Sequence, residues 1–107
     1  MPKYARPAHS ESVEAAIEAF GNRVRVAILG ELRQHGPATR GELAARIDSA
    51  EKTVQTHLRT LERLGLVRSD PPPETRKSGQ RVRYSANSPE IDVRLEVLVA
   101  AVRGQAN

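Results

Sequence analysis

The residues best suited to chemistry in this 107-residue sequence lie between Glu51 and Arg63, in a segment with helical periodicity. Val54, Leu58 and Leu61 recur at the spacing that faces a protein core. Helical geometry then turns the polar side chains of the segment outward, namely Lys52, Gln55, Thr56, Arg59 and Arg63. A Gln amide can pair with adenine, an Arg with guanine or a phosphate, and Lys and Thr with phosphates or base edges. This face predicts contact with the major groove of duplex DNA; the alternative is an ordinary solvated face.

A second group of cations lies between Thr75 and Ser85, where four basic residues occur without an acidic one: Arg76, Lys77, Arg81 and Arg83. On a hairpin they would lie along the DNA backbone or in the adjacent minor groove, where Arg is electrostatically favoured. The alternative is a solubilising loop. Arg40, which begins another predicted helix, can meet a flanking phosphate or remain in solvent.

Catalysis and metal binding find no support in the sequence. There is no cysteine, which excludes thiol nucleophiles, thiolate metal sites and disulfides. His9, His35 and His57 do not share the i, i+4 spacing of metal ligands on one helix, and His57 is interpreted as a packing or positioning residue. Neither a phosphate-binding glycine loop nor a nucleophile elbow occurs. We therefore expect no enzyme, no metal site and no cofactor.

Charge and composition favour a duplex nucleic acid as the partner. The formal net charge is +4 and the isoelectric point about 10.1, which raises the expectation of a polyanion. Phe20, Tyr4 and Tyr84 are the aromatic residues, too few and too scattered to stack single-stranded bases. No apolar run approaches the roughly 18–20 residues of a membrane span, and no signal peptide opens the chain. The expected location is the cytoplasm, in association with the nucleoid.

Helix caps and hydrophobic periodicity predict the helices and strands that carry these residues. Residues 1–9 are predicted to be a flexible basic arm, and residues 10–107 one domain. Val13, Ile17 and Phe20 indicate a first helix from Ser10, and Asn22 an N-cap for a second.

Two short helices are predicted next, each from a capping box. Thr39 and Glu42 form the first box, and Asp48 and Glu51 the second, three residues apart in each case. Gly65 is predicted to follow the second helix as its C′ residue. Helices separated by two or three residues have the spacing of a helix-turn-helix.

After Gly65 the period changes to two, which predicts strands over residues 66–69 and 81–85 of a wing spanning about 66–86. Ser88, as N-cap before Pro89, opens a last helix over about 88–103. This helix carries two apolar stripes, more than one core contact requires. We expect a homodimer interface from the first and last helices, formed by Val13, Ile17, Ile91, Leu95, Leu98 and Val102; the alternative is a last helix that lies deep in a groove of its own protomer.

The order of these elements, mainly α with a small β-hairpin (α+β), is that of a winged helix-turn-helix with an extra C-terminal helix. The segment GNRVRVAILGEL, with Asn22 and Arg25, resembles the opening helix of ArsR-type regulators. GELAARI resembles their first motif helix, and KTVQTHLRTLERLGLV their recognition helix and its exit. The resemblance covers about residues 13–103. The cysteines of the metal-sensing branches are missing, and Asp92 on the last helix has no accompanying His.

The resemblance implies a sequence-specific transcriptional regulator of double-stranded DNA, a repressor, acting as a homodimer without metal sensing. No small-molecule effector is indicated. Two other interpretations are an architectural or recombination accessory protein of a phage or plasmid, and a winged-helix module that binds protein.

Overall fold

The structure, a computed structural model, describes residues 10–105, so the predicted arm at residues 1–9 lies outside the described residues. Five α-helices span this range: α1 (Glu11–Phe20), α2 (Arg23–His35), α3 (Arg40–Ile47), α4 (Glu51–Arg63) and α5 (Ser88–Val102). Three short strands accompany them: β1 (Ala38–Thr39), β2 (Val67–Asp70) and β3 (Arg83–Ala86). The predicted α+β winged helix-turn-helix with an added C-terminal helix is confirmed. Within residues 10–105 no helix is long and apolar enough to cross a membrane.

The helix ends follow from local side-chain chemistry. Asn22 Oδ1 accepts hydrogen bonds from the backbone of Val24 at 2.9 Å and Arg25 at 3.1 Å, as an N-cap should. At the other end of the motif, Gly65 takes φ +81°, and the Leu66 N–H donates to the Leu61 carbonyl at 2.9 Å. This is a Schellman ending, which needs a left-handed residue at C′ and turns the chain sharply from α4 into β2.

The sheet has three strands, whereas the sequence predicted a two-stranded hairpin. β3 is central and pairs antiparallel with β2 on one side and β1 on the other. β1 brings Thr39 opposite Arg83, immediately before α3 begins. The predicted second strand also began too early, because β3 starts at Arg83 and leaves residues 81–82 in the wing loop. The wing is therefore attached directly to the helix-turn-helix.

One core lies where α2, α3, α4 and the sheet meet. The largest fully buried side chains are aliphatic and come from each of these elements: Ile28, Leu43, Val54, Leu58, Leu61, Leu66 and Val67. Burial of an aliphatic side chain of this size contributes about 1.5–3 kcal/mol. The faces of α3 and α4 that do not contribute to this core are thereby held at the surface.

The last helix departs from the prediction at its start and along its length. Its N-cap is Asn87, one residue earlier than predicted, and the Asn87 amide donates to the Gly65 carbonyl at 2.9 Å. α5 packs against α1. Val13 and Ile91, which were predicted at the dimer interface, are each 3% exposed. Their side chains lie inside the protomer and leave no surface for a second chain to contact.

Candidate nucleic-acid interface

The outward face of α4 carries the predicted recognition residues at the surface. Lys52, Thr56, Arg59 and Arg63 are exposed, and Gln55 is half-buried at the edge of the face. Their exposure follows from the burial of Val54, Leu58 and Leu61 on the opposite side. The Thr56 hydroxyl donates to the Lys52 carbonyl at 3.1 Å, which leaves its oxygen free to accept. This arrangement presents one continuous polar face.

Arg63 differs from the other members of the face. Its Nη2 lies 2.9 Å from Glu18 Oε2 of α1, in an ion pair at the C-terminal end of α4. The recognition helix meets DNA through its N-terminal half. Arg63 is therefore at the far end of the helix and already has an acidic partner, a contact that the sequence did not predict.

The turn between α3 and α4 has three residues, 48–50, within the predicted spacing, but its caps differ from the prediction. The second predicted capping box is wrong: Asp48 ends α3 in the left-handed conformation at φ +56°, and does not begin α4. Asp tolerates this conformation better than most residues. Ala50 is the N-cap of α4 and supplies no side-chain hydrogen bond. The first box is confirmed, since Thr39 and Glu42 exchange both of their cap hydrogen bonds.

Arg40 joins the starts of the two motif helices. Its Nε donates to Glu51 Oε1 at 3.1 Å, and its Nη1 donates to Gln55 Oε1 at 2.6 Å. The Arg40 side chain is 43% exposed, so part of the guanidinium still faces solvent. Arg40 thus occupies the flanking position predicted for a phosphate contact and also constrains a residue of the recognition helix.

The wing cations separate into two groups. Lys77, Arg81 and Arg83 are exposed. Arg76 instead folds back, with Nη2 donating to Ser69 Oγ at 2.7 Å and to the Pro71 carbonyl at 3.4 Å. Ser69 in turn donates to a Glu62 carboxylate oxygen of α4. The Arg76 side chain therefore supports the wing from inside, whereas the other three project from it.

A cleft of about 380 Å³ lies between the wing loop and the starts of α3 and α4. Arg40 and Gln55 line one wall, and Lys77 and Arg81 line the other. Arg81 Nη2 lies 4.0 Å from Glu42 Oε2. The Thr39 N–H donates to the Glu42 carboxylate, and this hydrogen bond lowers the pKa of Glu42 below its ordinary value. Residues of α4 and of the basic wing thus line one cleft and lie on the same side of the protein.

His57 is a positioning residue on the inner side of α4. Its Nδ1 accepts a hydrogen bond from Arg25 Nε at 3.0 Å. Burial, and then the positive charge of Arg25, lower the pKa of His57 below its ordinary value. The segment resembling the ArsR opening helix contains Arg25, but no local pattern linked it to His57.

The described residues give no indication of a metal centre. Within residues 10–105 no group of three His, Cys, Asp or Glu side chains could hold an ion. Asp92 of α5 is bound by Arg33, whose Nη1 lies 2.6 Å from Oδ1. This hydrogen bond lowers the pKa of Asp92 below its ordinary value.

Comparison with known proteins agrees with this architecture. A family model described as a helix-turn-helix domain matches residues 20–70. A search of curated proteins found no match.

Among solved structures, an ArsR family transcriptional regulator has a TM-score of 0.66 at 25% identity, covering 92% of this chain and 94% of that one. An ArsR-like transcriptional regulator from Rhodococcus sp. RHA1 has a TM-score of 0.64 at 25% identity, covering 87% and 81%. HlyU from Vibrio cholerae N16961 has a TM-score of 0.62 at 28% identity, covering 91% and 97%. The chain therefore contains a helix-turn-helix domain and is similar in fold and sequence to ArsR-type winged helix-turn-helix proteins, which supports a DNA-binding transcriptional regulator and not an enzyme.

Proposed function

We propose that this regulator is a homodimeric repressor that binds duplex DNA sequence-specifically, with α4 in the major groove and the wing beside it. The observation that carries the proposal is the shared orientation of the two cationic surfaces. Arg40 and Gln55, on α3 and α4, line the same cleft as Lys77 and Arg81 of the wing. Lys52 and Arg59 are exposed on α4. Side chains from two elements can then contact bases and the adjoining backbone in one docking event.

The dimer is proposed from the apolar surface of α1 and α5. Ile17 is 40% exposed, Val93 59%, Leu95 42% and Val102 79%. Exposed apolar residues on adjacent helices favour burial against a second chain. A two-fold axis there would present two α4 helices to successive major grooves, roughly 34 Å apart. Such a dimer would exclude other proteins from its site, and this is how repression would occur in the cytoplasm.

A salt titration tests the DNA-binding mode. The dissociation constant for a selected duplex is measured by fluorescence anisotropy between about 50 and 200 mM salt, a range over which 6–10 phosphate contacts weaken binding roughly 10³–10⁵-fold. A steep slope with one enriched sequence motif supports the proposal. A steep slope without sequence preference would favour an architectural factor. No duplex binding, with salt-insensitive binding of a protein, would favour an interaction module and overturn the proposal.

Metal ions are not part of the proposed signal. Zn²⁺, Cd²⁺ and arsenite require thiolate or imidazole ligands of a kind that the sequence does not cluster. Stoichiometric addition of each ion to the protein–DNA complex should leave the anisotropy unchanged. Release of the protein from DNA by one of them would contradict this part of the proposal.

A further inference from the structure

We propose that Gln55 reads the major-groove edge of guanine in preference to adenine, because Arg40 holds its side-chain carbonyl. The inference rests on the proposed function, and it reverses the adenine pairing that the sequence suggested. It begins with the 2.6 Å hydrogen bond from Arg40 Nη1 to Gln55 Oε1. A guanidinium has donors and no acceptor. The amide atom that faces Arg40 must therefore be the oxygen, which fixes the orientation of the whole Gln55 side chain.

The amide nitrogen of Gln55 is the group left to face a ligand. Within residues 10–105 the Gln55 side chain makes the single hydrogen bond to Arg40, so both of its N–H groups lack a protein partner. Gln55 is half-buried on the wall of the cleft, between the exposed face of α4 and the wing. Before DNA binds, the two N–H groups of the Gln55 amide are therefore already directed away from Arg40 and available as donors.

The Arg40 contact can persist when DNA binds. A guanidinium has five N–H donors, and Arg40 uses one at Nε and one at Nη1. Three remain for a phosphate. Glu51 lies one helical turn before Gln55 and accepts from Nε at 3.1 Å, which anchors the guanidinium from the same helix. Arg40 therefore does not have to release Gln55 in order to contact the backbone.

The two purines differ in what they require of this amide. Adenine needs a carbonyl to accept from its N6 amino group, besides a donor to N7, whereas guanine offers two acceptors, N7 and O6. The positive charge of Arg40 withdraws electron density from the Gln55 carbonyl, which weakens it as an acceptor and strengthens the N–H groups as donors. The N6 amino group of adenine would also lie beside the Arg40 guanidinium, which has no acceptor to offer it. Guanine meets neither penalty.

Binding-site selection from random duplexes tests the inference with four proteins: the wild type, Gln55→Ala, Arg40→Ala and the control Gln34→Ala, an exposed glutamine of α2. The position whose preference disappears in Gln55→Ala defines the Gln55 contact. The wild type should select guanine there by at least about fivefold, the lower limit for a good base contact. Arg40→Ala should move that position toward adenine and leave the other positions unchanged. Gln34→Ala should match the wild type.

Modified duplexes give a second measurement that does not depend on how a variant folds. Replacing the selected guanine with 7-deazaguanine should weaken wild-type binding several-fold, while inosine, which retains N7 and O6, should not. Three outcomes would overturn the inference and leave the proposed function standing. The wild type could select adenine at this position, Arg40→Ala could keep the preference for guanine, or Gln55→Ala could lose no sequence preference at any position. If the wild type enriched no sequence motif at all, both the inference and the proposed function would be overturned.

Discussion

Arg25 and His57 connect the second helix to the recognition helix: Arg25 Nε donates a hydrogen bond to His57 Nδ1 over 3.0 Å. The same guanidinium donates through Nη1 to the Glu18 carbonyl of α1 at 2.5 Å. Because Nδ1 accepts, it carries no proton, and the imidazole is neutral with its hydrogen on Nε2. Protonation of His57 would remove this acceptor and oppose two positive charges between α2 and α4.

We predict that folding stability falls as the pH is lowered below about 6.5, the ordinary pKa of His that applies in the unfolded chain. The folded pKa of His57 is lower, so the unfolded state binds more protons between these two values and is favoured there. The loss stops below the folded pKa. Urea denaturation at pH 7.5 and 5.5 measures it. His57→Asn, whose Oδ1 can still accept from Arg25, should lose less stability over this interval; equal losses in both proteins would contradict the assignment.

Ala50 leaves the recognition helix without a side-chain cap, and this predicts a stabilising substitution. Ala50→Ser should supply the missing acceptor and raise the free energy of unfolding by about 0.5–2 kcal/mol. Ala45→Ser, at an exposed position inside α3, is the control and should not stabilise, since Ser has lower helix propensity than Ala. Urea denaturation compares the two variants. A decrease in stability in Ala50→Ser would indicate that the α3–α4 turn has no room for a cap.

Arg59 and Arg63 lie one turn apart on α4 and are predicted to differ in their contribution to DNA binding. Arg59 is exposed and lies one turn nearer the N-terminus of α4 than Arg63, which pairs with Glu18 at 2.9 Å. Arg59→Ala should weaken binding to the selected duplex by about 1–3 kcal/mol, by loss of a base-edge contact. Arg63→Ala should have a much smaller effect. Mobility shift on the selected and on a scrambled duplex measures both; equal losses would place Arg63 in the interface.

Lys77 and Arg76 are adjacent in the wing loop and are also predicted to differ. Lys77 is exposed, and Lys77→Ala should weaken binding to all sequences alike and reduce the salt slope by about one. Arg76 is held by Ser69 at 2.7 Å, so Arg76→Ala should alter the slope less. This replaces the interpretation of Arg76 as a phosphate contact. A slope reduced by about one in Arg76→Ala would restore that interpretation.

Leu95 and Leu98 provide the test of the dimer. Leu95 is 42% exposed, while Leu98 is half-buried within the protomer. Leu95→Glu should weaken the free energy of dimer association by several kcal/mol, because a charge would be buried in the interface. The helical circular dichroism of this variant should stay unchanged. Leu98→Glu should also lower helix content. Sedimentation velocity measures the association. A wild type that is monomeric at tens of micromolar and binds DNA as one copy would defeat the proposal.

The sequence predicted the features that depend on neighbouring residues. The helical spacing of Val54, Leu58 and Leu61 identified α4 and its outward face, and the Thr39–Glu42 box identified the start of α3. Two failures have distinct physical causes. β1 is two residues long, and its strand character comes from pairing with β3, which is distant in sequence. Asp48 has the side chain of a good N-cap, but the geometry of the motif turn uses its tolerance for positive φ.

The candidate site was predicted as a set of exposed residues and not as a network. Helix periodicity showed that Gln55 and Arg40 lie at the surface, but their contact depends on how α3 packs against α4. The same holds for Arg76, since a long side chain can reach solvent or fold back, and the position of Ser69 decides between them. Side chains of this length sample many rotamers, so their partners follow from tertiary structure.

The wing loop leaves and re-enters the sheet at a single strand pair, Asp70 opposite Arg83, and β1 holds Arg83 from its other edge. Residues 71–82 can therefore be exchanged for a loop of another length or charge without shifting the strand register, although the exchange removes the contacts of Arg76 with Ser69 and of Arg81 with Glu42. In evolutionary terms, the proposed function gives the protein two surfaces, the face of α4 and the wing loop, whose sequences can diverge separately. Under the proposed function, grafting a different loop between Asp70 and Arg83 should change the preference for flanking sequence and retain the contacts of α4 in the major groove.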